Sequence, residues 1–451
     1  MFRRVLVANR GEVAARVLRT CRRLGIEVVA VYSEADADLS WLQDADETVC
    51  IGGTRSYLDA DAILDAAART RSAAIHPGWG FLSENASFAA RCEASRFAFI
   101  GPRPRSIREM GDKAVARETM TALGLPPIPG SAGVIPTAAA ARSEAARIGM
   151  PVLLKALAGG GGRGMRKVFE PASIDAAFDE ASAEAASAFG DGRMYMERLI
   201  QQGRHIEFQI LGDGEGDIRV LGARECSVQR RHQKLVEETP APGVLDQVFE
   251  DTAARIIEAT SALRYRGAGT IEMLMDEHGA LWFMEMNTRL QVEHTVTEAV
   301  TGVDLVEWQL RVAANEGLGS MDVSSAPGGH AVECRINAED PSAGFRPQPG
   351  TVGRLVLPAG EGIRVDTHLR EGDRISPHYD SMFAKLIAWG PDRDAAIARM
   401  LGALDALEVE GVPTTVELHR HIITHDDFRS GAYDTRWLER TLPALLGEEP
   451  A

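Results

Sequence analysis

The chain has 451 residues, of which 45% are hydrophobic and 25% charged, which is typical of a folded protein of several domains. Its 49 basic and 65 acidic residues give a formal net charge of −16, which argues against a nucleic-acid surface but allows a local cationic site for a small anion. Five scattered cysteines favour reduced thiols in a cytoplasmic protein, and no apolar run approaches the roughly 18 residues of a membrane helix.

The first hundred residues alternate short strands with helical segments. Apolar runs predict strands at 4–8 and 27–32, and apolar residues at helical spacing predict a helix at 12–24 between them. Two further apolar runs, 73–75 and 97–100, each end at a turn that contains Gly and Pro. This rhythm predicts an open parallel α/β sheet for residues 1–100.

A helical connection at 101–127 is followed by a small unit and then by antiparallel structure. The small unit is predicted to contain strands at 152–155, 165–169 and 194–197 and a helix at 173–188. Residues 205–210 alternate with period two, and 218–221 form the predicted return strand. Two helical stretches, about 392–407 and 414–423, are predicted near the C-terminus.

The most conspicuous segment is the glycine run 159–164, which lies between two predicted strands. Glycines expose backbone N–H groups and reach positive φ, so the run can wrap a phosphate chain, with Lys155 four residues upstream to meet an anionic oxygen. Neither a Walker A loop nor a dinucleotide-binding loop fits, because no Gly-Lys-Ser/Thr and no helix follow. A mobile flap over a nucleotide and a flexible surface hairpin are both consistent with the pattern.

Two glutamates interrupt the apolar strands of a predicted hairpin. A four-residue loop, 277–280, is expected to set Glu272 directly opposite Glu285. Like charges across a hairpin are destabilising unless they are neutralised, and Mg²⁺ would do so. The alternative is that one or both glutamates point to solvent.

Polar and apolar residues alternate beyond the second strand of this hairpin. If the chain stays extended, one face carries Glu285, Asn287, Arg289, Gln291 and Glu293. These groups suit metal binding, oxyanion binding and proton transfer, although a solvated edge strand can show the same alternation. By pattern alone, the basic run 229–234 is typical of a solvated face, and Arg335 is typical of a surface or structural ion pair.

Six segments, in order between residue 4 and about residue 440, together resemble the biotin carboxylases: 8–12, 76–85, the glycine run, 229–234, 285–294 and 333–340. The resemblance implies an α/β (α+β) ATP-grasp fold. It also implies an N-terminal open parallel-sheet domain at 1–100, a helical linker at 101–127, a mobile lid with the flap at 128–200, and the ATP-grasp core with a mainly antiparallel C-terminal domain at 201–451.

The resemblance further implies roles for particular residues. ATP would be contacted by Lys113, Lys155, Gly160, Gly161, Gly162, Glu197, Arg198, His205, Gln229, His232 and Leu274. Mg²⁺ or Mn²⁺ would be held by Glu272, Glu285 and Asn287. Bicarbonate would be bound by Lys234, Arg289, Gln291 and Val292, with Glu293 as its general base. Biotin would be bound by Trp79 and by Arg335, which would stabilise its enolate form.

These expectations describe the carboxylation of biotin on a biotin carboxyl carrier protein. ATP and bicarbonate would react through carboxyphosphate, in the first half-reaction of an acetyl-CoA or related acyl-CoA carboxylase. The implied partners are the carrier protein, a carboxyltransferase subunit and a second copy of the chain, with no nucleic acid or membrane. No Ala-Met-Lys-Met motif occurs, so biotin is expected from a separate carrier or from another part of a larger polypeptide.

Five residues depart from the family pattern. Trp79 replaces Tyr and so lacks a hydroxyl, and Arg198 replaces Lys. Leu157 and Ala158 replace smaller residues and are expected to stiffen the flap, while Thr295 replaces Pro and is expected to relax the backbone beside Glu293.

Two other functions are compatible with part of the pattern. An ATP-grasp ligase with another acceptor would share the metal ligands, and a non-catalytic ATP-binding subunit would tolerate the departures. Intact Lys234, Glu293 and Arg335 argue against both.

Overall fold

The computed structural model describes residues 1–157, 164–323 and 328–447. The chain divides into two compact units. The larger unit comprises Met1–Ala116, Arg204–Met273 and Glu285–Ala451, and the smaller comprises Arg117–Gly203 and Leu274–Met284. Among the described residues, no helix combines the length and apolar character needed to cross a bilayer.

The N-terminal part of the larger unit contains the predicted parallel sheet. Its strands are β1 (Arg4–Val7), β2 (Glu27–Tyr32), β3 (Glu47–Cys50), β4 (Ala74–His76) and β5 (Ala98–Phe99), in the order β3-β2-β1-β4-β5. All four neighbouring pairs are parallel. Strand β3 was not predicted, because it is mostly exposed and carries only two apolar residues.

Helices follow these strands where apolar spacing and capping residues favour them. They are α1 (Gly11–Arg23), α2 (Ala60–Arg69), α3 (Ala86–Ala94), α4 (Pro104–Gly111) and α5 (Lys113–Ala122). Helix α1 buries Val13, Val17 and Cys21, which recur at helical spacing along one face. Asp59 begins α2 by accepting hydrogen bonds from two free backbone N–H groups of its first turn.

The smaller unit contains an antiparallel sheet and two helices around its own apolar core. The elements are α6 (Ala138–Ile148), β6 (Val152–Ala156), β7 (Met165–Val168), α7 (Ile174–Phe189) and β8 (Met194–Arg198), with the strands in the order β7-β6-β8. The predicted strands and α7 are confirmed, whereas the Ala-rich α6 was missed. Most of the glycine run, including Gly160, Gly161 and Gly162, lies outside the described residues.

An eight-stranded sheet dominates the rest of the larger unit. Its strands are β9 (Arg204–Asp213), β10 (Ile218–Arg230), β11 (Gln233–Thr239), β12 (Arg266–Met275), β13 (Leu281–Asn287), β14 (His330–Asn337), β19 (Ile363–Thr367) and β21 (Met382–Gly390), in the order β13-β12-β9-β10-β11-β14-β21-β19. The tip of the β12–β13 hairpin belongs to the smaller unit. Strand β10 is longer than predicted, because its buried second half includes the polar residues Arg224, Glu225 and Gln229.

Helices and short strand pairs complete the chain. The helices are α8 (Asp246–Ala262), α9 (His294–Thr301), α10 (Leu305–Ala313), α11 (Arg393–Ala406), α12 (Val416–Thr424), α13 (Asp426–Ser430) and α14 (Trp437–Leu445). The short strands are β15 (Glu339–Asp340), β16 (Arg346–Pro347), β17 (Gly350–Thr351), β18 (Leu355–Val356), β20 (Arg374–Ile375) and β22 (Glu408–Val409). Single 3₁₀ turns lie at Glu34–Asp36, Ser40–Asp44, Ser56–Leu58, Pro171–Ser173, Leu318–Ser320 and Pro341–Ala343.

Candidate active site

The chain does not stay extended after the β12–β13 hairpin, so the prediction of one polar strand face is wrong. Strand β13 ends at Asn287, and Glu293 is the residue that precedes α9. The intervening segment turns because the backbone N–H of Thr288 bonds to Oε1 of Glu84 at 2.9 Å and Nδ1 of His294 bonds to the carbonyl of Gln291 at 2.8 Å. Tertiary contacts, not strand alternation, therefore bring the polar side chains of this segment to the site.

The ammonium of Lys234 contacts three buried carboxylates. Its ammonium is 2.6 Å from Glu207 Oε2, 2.6 Å from Glu293 Oε1 and 3.2 Å from Glu272 Oε1. Strands β10 and β11 place it beside the buried Gln229 through the two-residue turn Arg231–His232, and both turn residues have positive φ. The basic run is thus not a uniformly solvated face, although His232 itself is exposed.

Arg335 contacts the other oxygen of Glu293. Its Nη2 donates to Glu293 Oε2 at 2.9 Å, and its Nε donates to Glu237 Oε1 at 2.6 Å. Only 15% of the Arg335 side chain is exposed and none of the Glu293 carboxylate is, so this is a buried pair and not a surface one. Glu293 consequently lies between two cations that come from different strands.

The electrostatic consequence is that Glu293 is ionised. Burial acts to raise the pKa of Glu293, but Lys234 and Arg335 outweigh it and hold the pKa well below its ordinary value. Burial also raises the pKa of neighbouring Glu237, to about 7, with Arg335 acting in the opposite direction. A deprotonated carboxylate is the state that a general base requires.

Arg289 is oriented by three side-chain oxygen acceptors and by the backbone carbonyl of Leu290. Its guanidinium donates to Glu84 Oε2 at 2.8 Å, Gln291 Oε1 at 3.0 Å and Asn287 Oδ1 at 3.2 Å. Gln291 in turn donates to Glu272 Oε1 at 3.2 Å. These bonds join the predicted bicarbonate residues to the predicted metal ligands.

The predicted metal ligands are only partly assembled by direct contacts. Asn287 donates to Glu272 Oε1 at 2.8 Å, while the half-exposed Glu285 has its Oε2 3.6 Å from the ammonium of Lys113. Two carboxylates and an amide are oxygen donors of the kind that Mg²⁺ and Mn²⁺ accept, so the residues fit such an ion. His205 Nε2 lies 3.2 Å from Glu272 Oε2 and adds a neighbouring polar group.

The hairpin turn between the two glutamates is tighter than predicted. The backbone N–H of Asp276 bonds to the carbonyl of Ala280 at 2.9 Å, which leaves three residues, 277–279, in the loop. Gly279 takes positive φ there, as such turns require. If the two strands stay paired without a bulge from Asp276 and Ala280 onward, the residue opposite Glu272 is Met284 and not Glu285. The turn therefore does not by itself set the two glutamates opposite each other.

The smaller unit holds a further group of predicted ATP contacts. Lys155 pairs with the buried carboxylate of Glu197, whose other oxygen lies 3.5 Å from Nη1 of Arg117. Arg198 donates to Asp276 Oδ2 at 2.7 Å and lies over the ring of Trp282 at 5.1 Å. Leu274 is half-buried in the same unit.

Trp79 is positioned by the Gly-rich turn that carries it. Asn9 Nδ2 donates to the carbonyls of Pro77 and Trp79, at 2.6 and 2.8 Å. Gly78 has positive φ, and a Cβ there would lie only 2.8 Å from Asn9 Nδ2, which explains the glycine. The indole Nε1 is buried without a hydrogen-bond partner among the described residues.

Several buried partners were missed by sequence reasoning. Glu207 and Glu237 contact Lys234 and Arg335, and the fully buried Arg224 donates to Glu207 Oε1 at 2.6 Å. A signal was available for Glu207, because the period-two pattern places it on the same face of β9 as His205.

Comparisons with known proteins show which family the chain is similar to. Three family descriptions match along the chain: the biotin carboxylase N-terminal domain at residues 1–107, the carbamoyl-phosphate synthase L chain ATP-binding domain at 112–321, and the biotin carboxylase C-terminal domain at 333–440. The biotin carboxylase of Nostoc sp. is 48% identical over 441 residues, which are 97% of this chain and 99% of that protein. The 2-oxoglutarate carboxylase small subunit of Hydrogenobacter thermophilus is 46% identical over 441 residues, 97% of this chain and 93% of that protein.

Solved structures show the same likeness. The biotin carboxylase domain dimer of the H. thermophilus 2-oxoglutarate carboxylase, in complex with MgADP, ADP and bicarbonate, has a TM-score of 0.90 and 45% identity over 100% of this chain and 99% of that one. A Campylobacter jejuni biotin carboxylase in complex with β-γ-ATP has a TM-score of 0.90 and 44% identity over 98% and 99% of the two chains. The chain therefore belongs to the biotin carboxylase family, ATP-dependent carbon–nitrogen ligases with an ATP-grasp fold.

The expected family, fold class and enzyme class are thus confirmed. The domain boundaries and the roles of individual site residues stay predictions.

Proposed function

We propose that this chain carboxylates biotin on a biotin carboxyl carrier protein, with ATP and bicarbonate as co-substrates. The observation that carries the proposal is the carboxylate of Glu293, with Oε1 2.6 Å from the ammonium of Lys234 and Oε2 2.9 Å from Arg335 Nη2. One cation suits a bicarbonate oxygen, and the other suits the developing negative charge on biotin.

In the first step, Glu293 removes the remaining proton of bicarbonate. Lys234, Arg289, Gln291 and the backbone of Val292 hold the anion. A carboxylate paired with two cations is a weak base, and it strengthens when bicarbonate takes part of the charge of Lys234. The deprotonated substrate then attacks the γ-phosphate of ATP and forms carboxyphosphate.

This attack is chiefly a matter of positioning and charge neutralisation. In this proposal ATP is bound by Lys113, Lys155, Gly160, Gly161, Gly162, Glu197, Arg198, His205, Gln229, His232 and Leu274. Glu272, Glu285 and Asn287 would hold Mg²⁺ or Mn²⁺, which when bound supplies positive charge to the phosphates.

In the second step, carboxyphosphate breaks down to CO₂ and phosphate, and the CO₂ bonds to the ureido nitrogen of biotin. The released phosphate first takes the proton of that nitrogen, which leaves an enolate that Arg335 stabilises as a fixed cation until it bonds to CO₂. The aromatic face of Trp79 lines the biotin site in this proposal.

The proposed partners are the carrier protein, a carboxyltransferase and a second copy of the chain, in a cytoplasmic acyl-CoA carboxylase. The dimeric domain from H. thermophilus supports the second copy. Relatives of similar identity include a small subunit of 2-oxoglutarate carboxylase and a subunit of pyruvate carboxylase, so the acceptor depends on the carboxyltransferase.

The test is phosphate release from Mg·ATP with bicarbonate, with and without free biotin. We expect release to require bicarbonate, to rise with biotin and to fall by roughly 10²–10⁴-fold in Glu293→Gln, while ATP affinity stays unchanged. Glu225→Gln is the matched control, because Glu225 is also buried in the sheet but pairs with Arg204. Release that ignores bicarbonate and biotin would refute the proposed acceptor.

A further inference from the structure

Lys385 is a fully buried lysine on β21. Its side chain has no exposed surface, and the sheet register pairs it with Arg335 on β14 and with Asp366 on β19. Its ammonium donates to the backbone carbonyl of Val292 at 2.8 Å and lies 3.2 Å from Oε1 of Glu12. A buried ammonium is costly, so its contacts call for an explanation.

We infer that Lys385 is a positioning residue for the carboxylation reaction, because it fixes the peptide bond between Val292 and Glu293. The inference rests on the proposed function, in which Val292 and Glu293 bind and deprotonate bicarbonate. Lys385 itself contacts neither substrate in this proposal; it acts through the backbone that carries both groups.

The geometry of a trans peptide makes this contact effective. The C=O and N–H groups of one peptide point in opposite directions, so a bond to the Val292 carbonyl also aims the N–H of Glu293. The preceding carbonyl, that of Gln291, is held at 2.8 Å by Nδ1 of the buried His294. The side chains of Lys385 and His294 therefore fix the peptide bonds on both sides of Val292.

A purely structural role for the Lys385–Glu12 pair explains less. Such a pair would join α1 to the sheet, but an apolar pair of similar volume is often as stable as a buried ion pair. What an apolar pair cannot do is donate a hydrogen bond to Val292. Glu12 and Asp366, together with Glu333 when it is ionised, supply the negative charge that allows an ammonium in this position.

The experiment compares Lys385→Met, Glu12→Gln and the double variant. The double variant removes both charges of the Lys385–Glu12 pair, so it stays informative even if Lys385→Met alone does not fold. We expect it to lower kcat/KM for bicarbonate by about 10- to 100-fold, as loss of a charged hydrogen bond implies, with KM for ATP within about two-fold of wild type. Glu12→Gln retains the donor and should keep kcat/KM for bicarbonate within about three-fold.

Arg393→Met is the matched control. Arg393 is another largely buried cation, and its Nε donates to Glu238 Oε2 at 2.7 Å. The Arg393→Met variant should lose thermal stability without a change in KM for bicarbonate. Wild-type bicarbonate kinetics in the folded double variant would overturn the inference, and so would an equal loss in Glu12→Gln or Arg393→Met. Failure of the proposed function is distinguishable, because the wild-type protein would then show no bicarbonate-dependent phosphate release.

Discussion

Three carboxylates share the ammonium of Lys234, and one of them, Glu293, is the general base of the proposed reaction. Lys234 is the largest favourable influence on the pKa of Glu293, followed by Arg335 and Arg224. Removing the ammonium takes away the main interaction that offsets burial of the Glu293 carboxylate. The pH range in which Glu293 is ionised therefore depends on a residue 59 positions away in the chain.

We expect Lys234→Met to move the acid limb of the kcat profile to higher pH. The base works only when deprotonated, and loss of the cation raises the pKa of Glu293, so activity disappears at a less acidic pH than in the wild-type protein. Residual phosphate release measured across the pH range checks this. Lys234→Arg keeps the charge and should keep the limb in place; an unchanged limb in Lys234→Met would contradict the electrostatic argument.

Helix α9 begins directly after Glu293, and a hydrogen bond from the second residue of the helix ties its start to β14. The hydroxyl of Thr295 donates to Glu333 Oε2 on β14. The second oxygen of Glu333 has no hydrogen-bond partner among the described residues. Burial raises the pKa of Glu333 to about 8. At the position where the family usually has Pro, this chain therefore has a contact that a proline cannot make.

Thr295→Val should destabilise the protein by about 1–3 kcal/mol, because it leaves a buried carboxyl group without its donor. The loss should be larger at pH 9 than at pH 7, since Glu333 is ionised only above about pH 8 and an unpaired charge costs more than a neutral acid. Urea unfolding at both pH values measures the difference. Thr301→Val, which removes a hydroxyl bonded to a helix carbonyl, is the control, and an equal loss there would exclude a special role for Thr295.

Buried acids make the stability of the whole fold depend on pH. Burial raises the pKa of Glu225 to about 7, with Arg204 acting in the opposite direction. A raised folded pKa means that the folded state binds more protons between about pH 4.5 and pH 7. Stability from this group is therefore complete below the unfolded pKa and is lost as the pH rises through 7.

Glu225→Gln should flatten the slope of unfolding free energy against pH over that interval. A rise in the pKa from 4.5 to about 7 corresponds to about 3 kcal/mol of stability that the wild-type protein loses between those pH values and that glutamine cannot lose. Chemical denaturation at a series of pH values gives the slope. Parallel curves for the two proteins would show that Glu225 does not titrate in this range.

Many of the helices and strands could be predicted from local sequence. Strands β1 and β2, helix α1 and the strands of the small unit were predicted to within one or two residues, because their periodicity depends only on which side chains are apolar. The family motifs likewise predicted the enzyme class, since each is a short run of residues read in order. Helix α6 and strand β3 were missed because their composition carries weak periodicity.

Only the tertiary structure decided which charged residues meet. Arg335 looked unremarkable in sequence because its partners, Glu237 and Glu293, are 98 and 42 residues away. The bend after Asn287 depends on Glu84, which is 204 residues from Thr288. Local patterns report the faces of strands and helices, whereas the pairing of buried charges depends on strand order and register in the folded sheet. The sequence alone therefore determined the elements and the family, and the fold decided how Lys234, Arg335 and Lys385 are arranged around Glu293 and the peptide bond that precedes it.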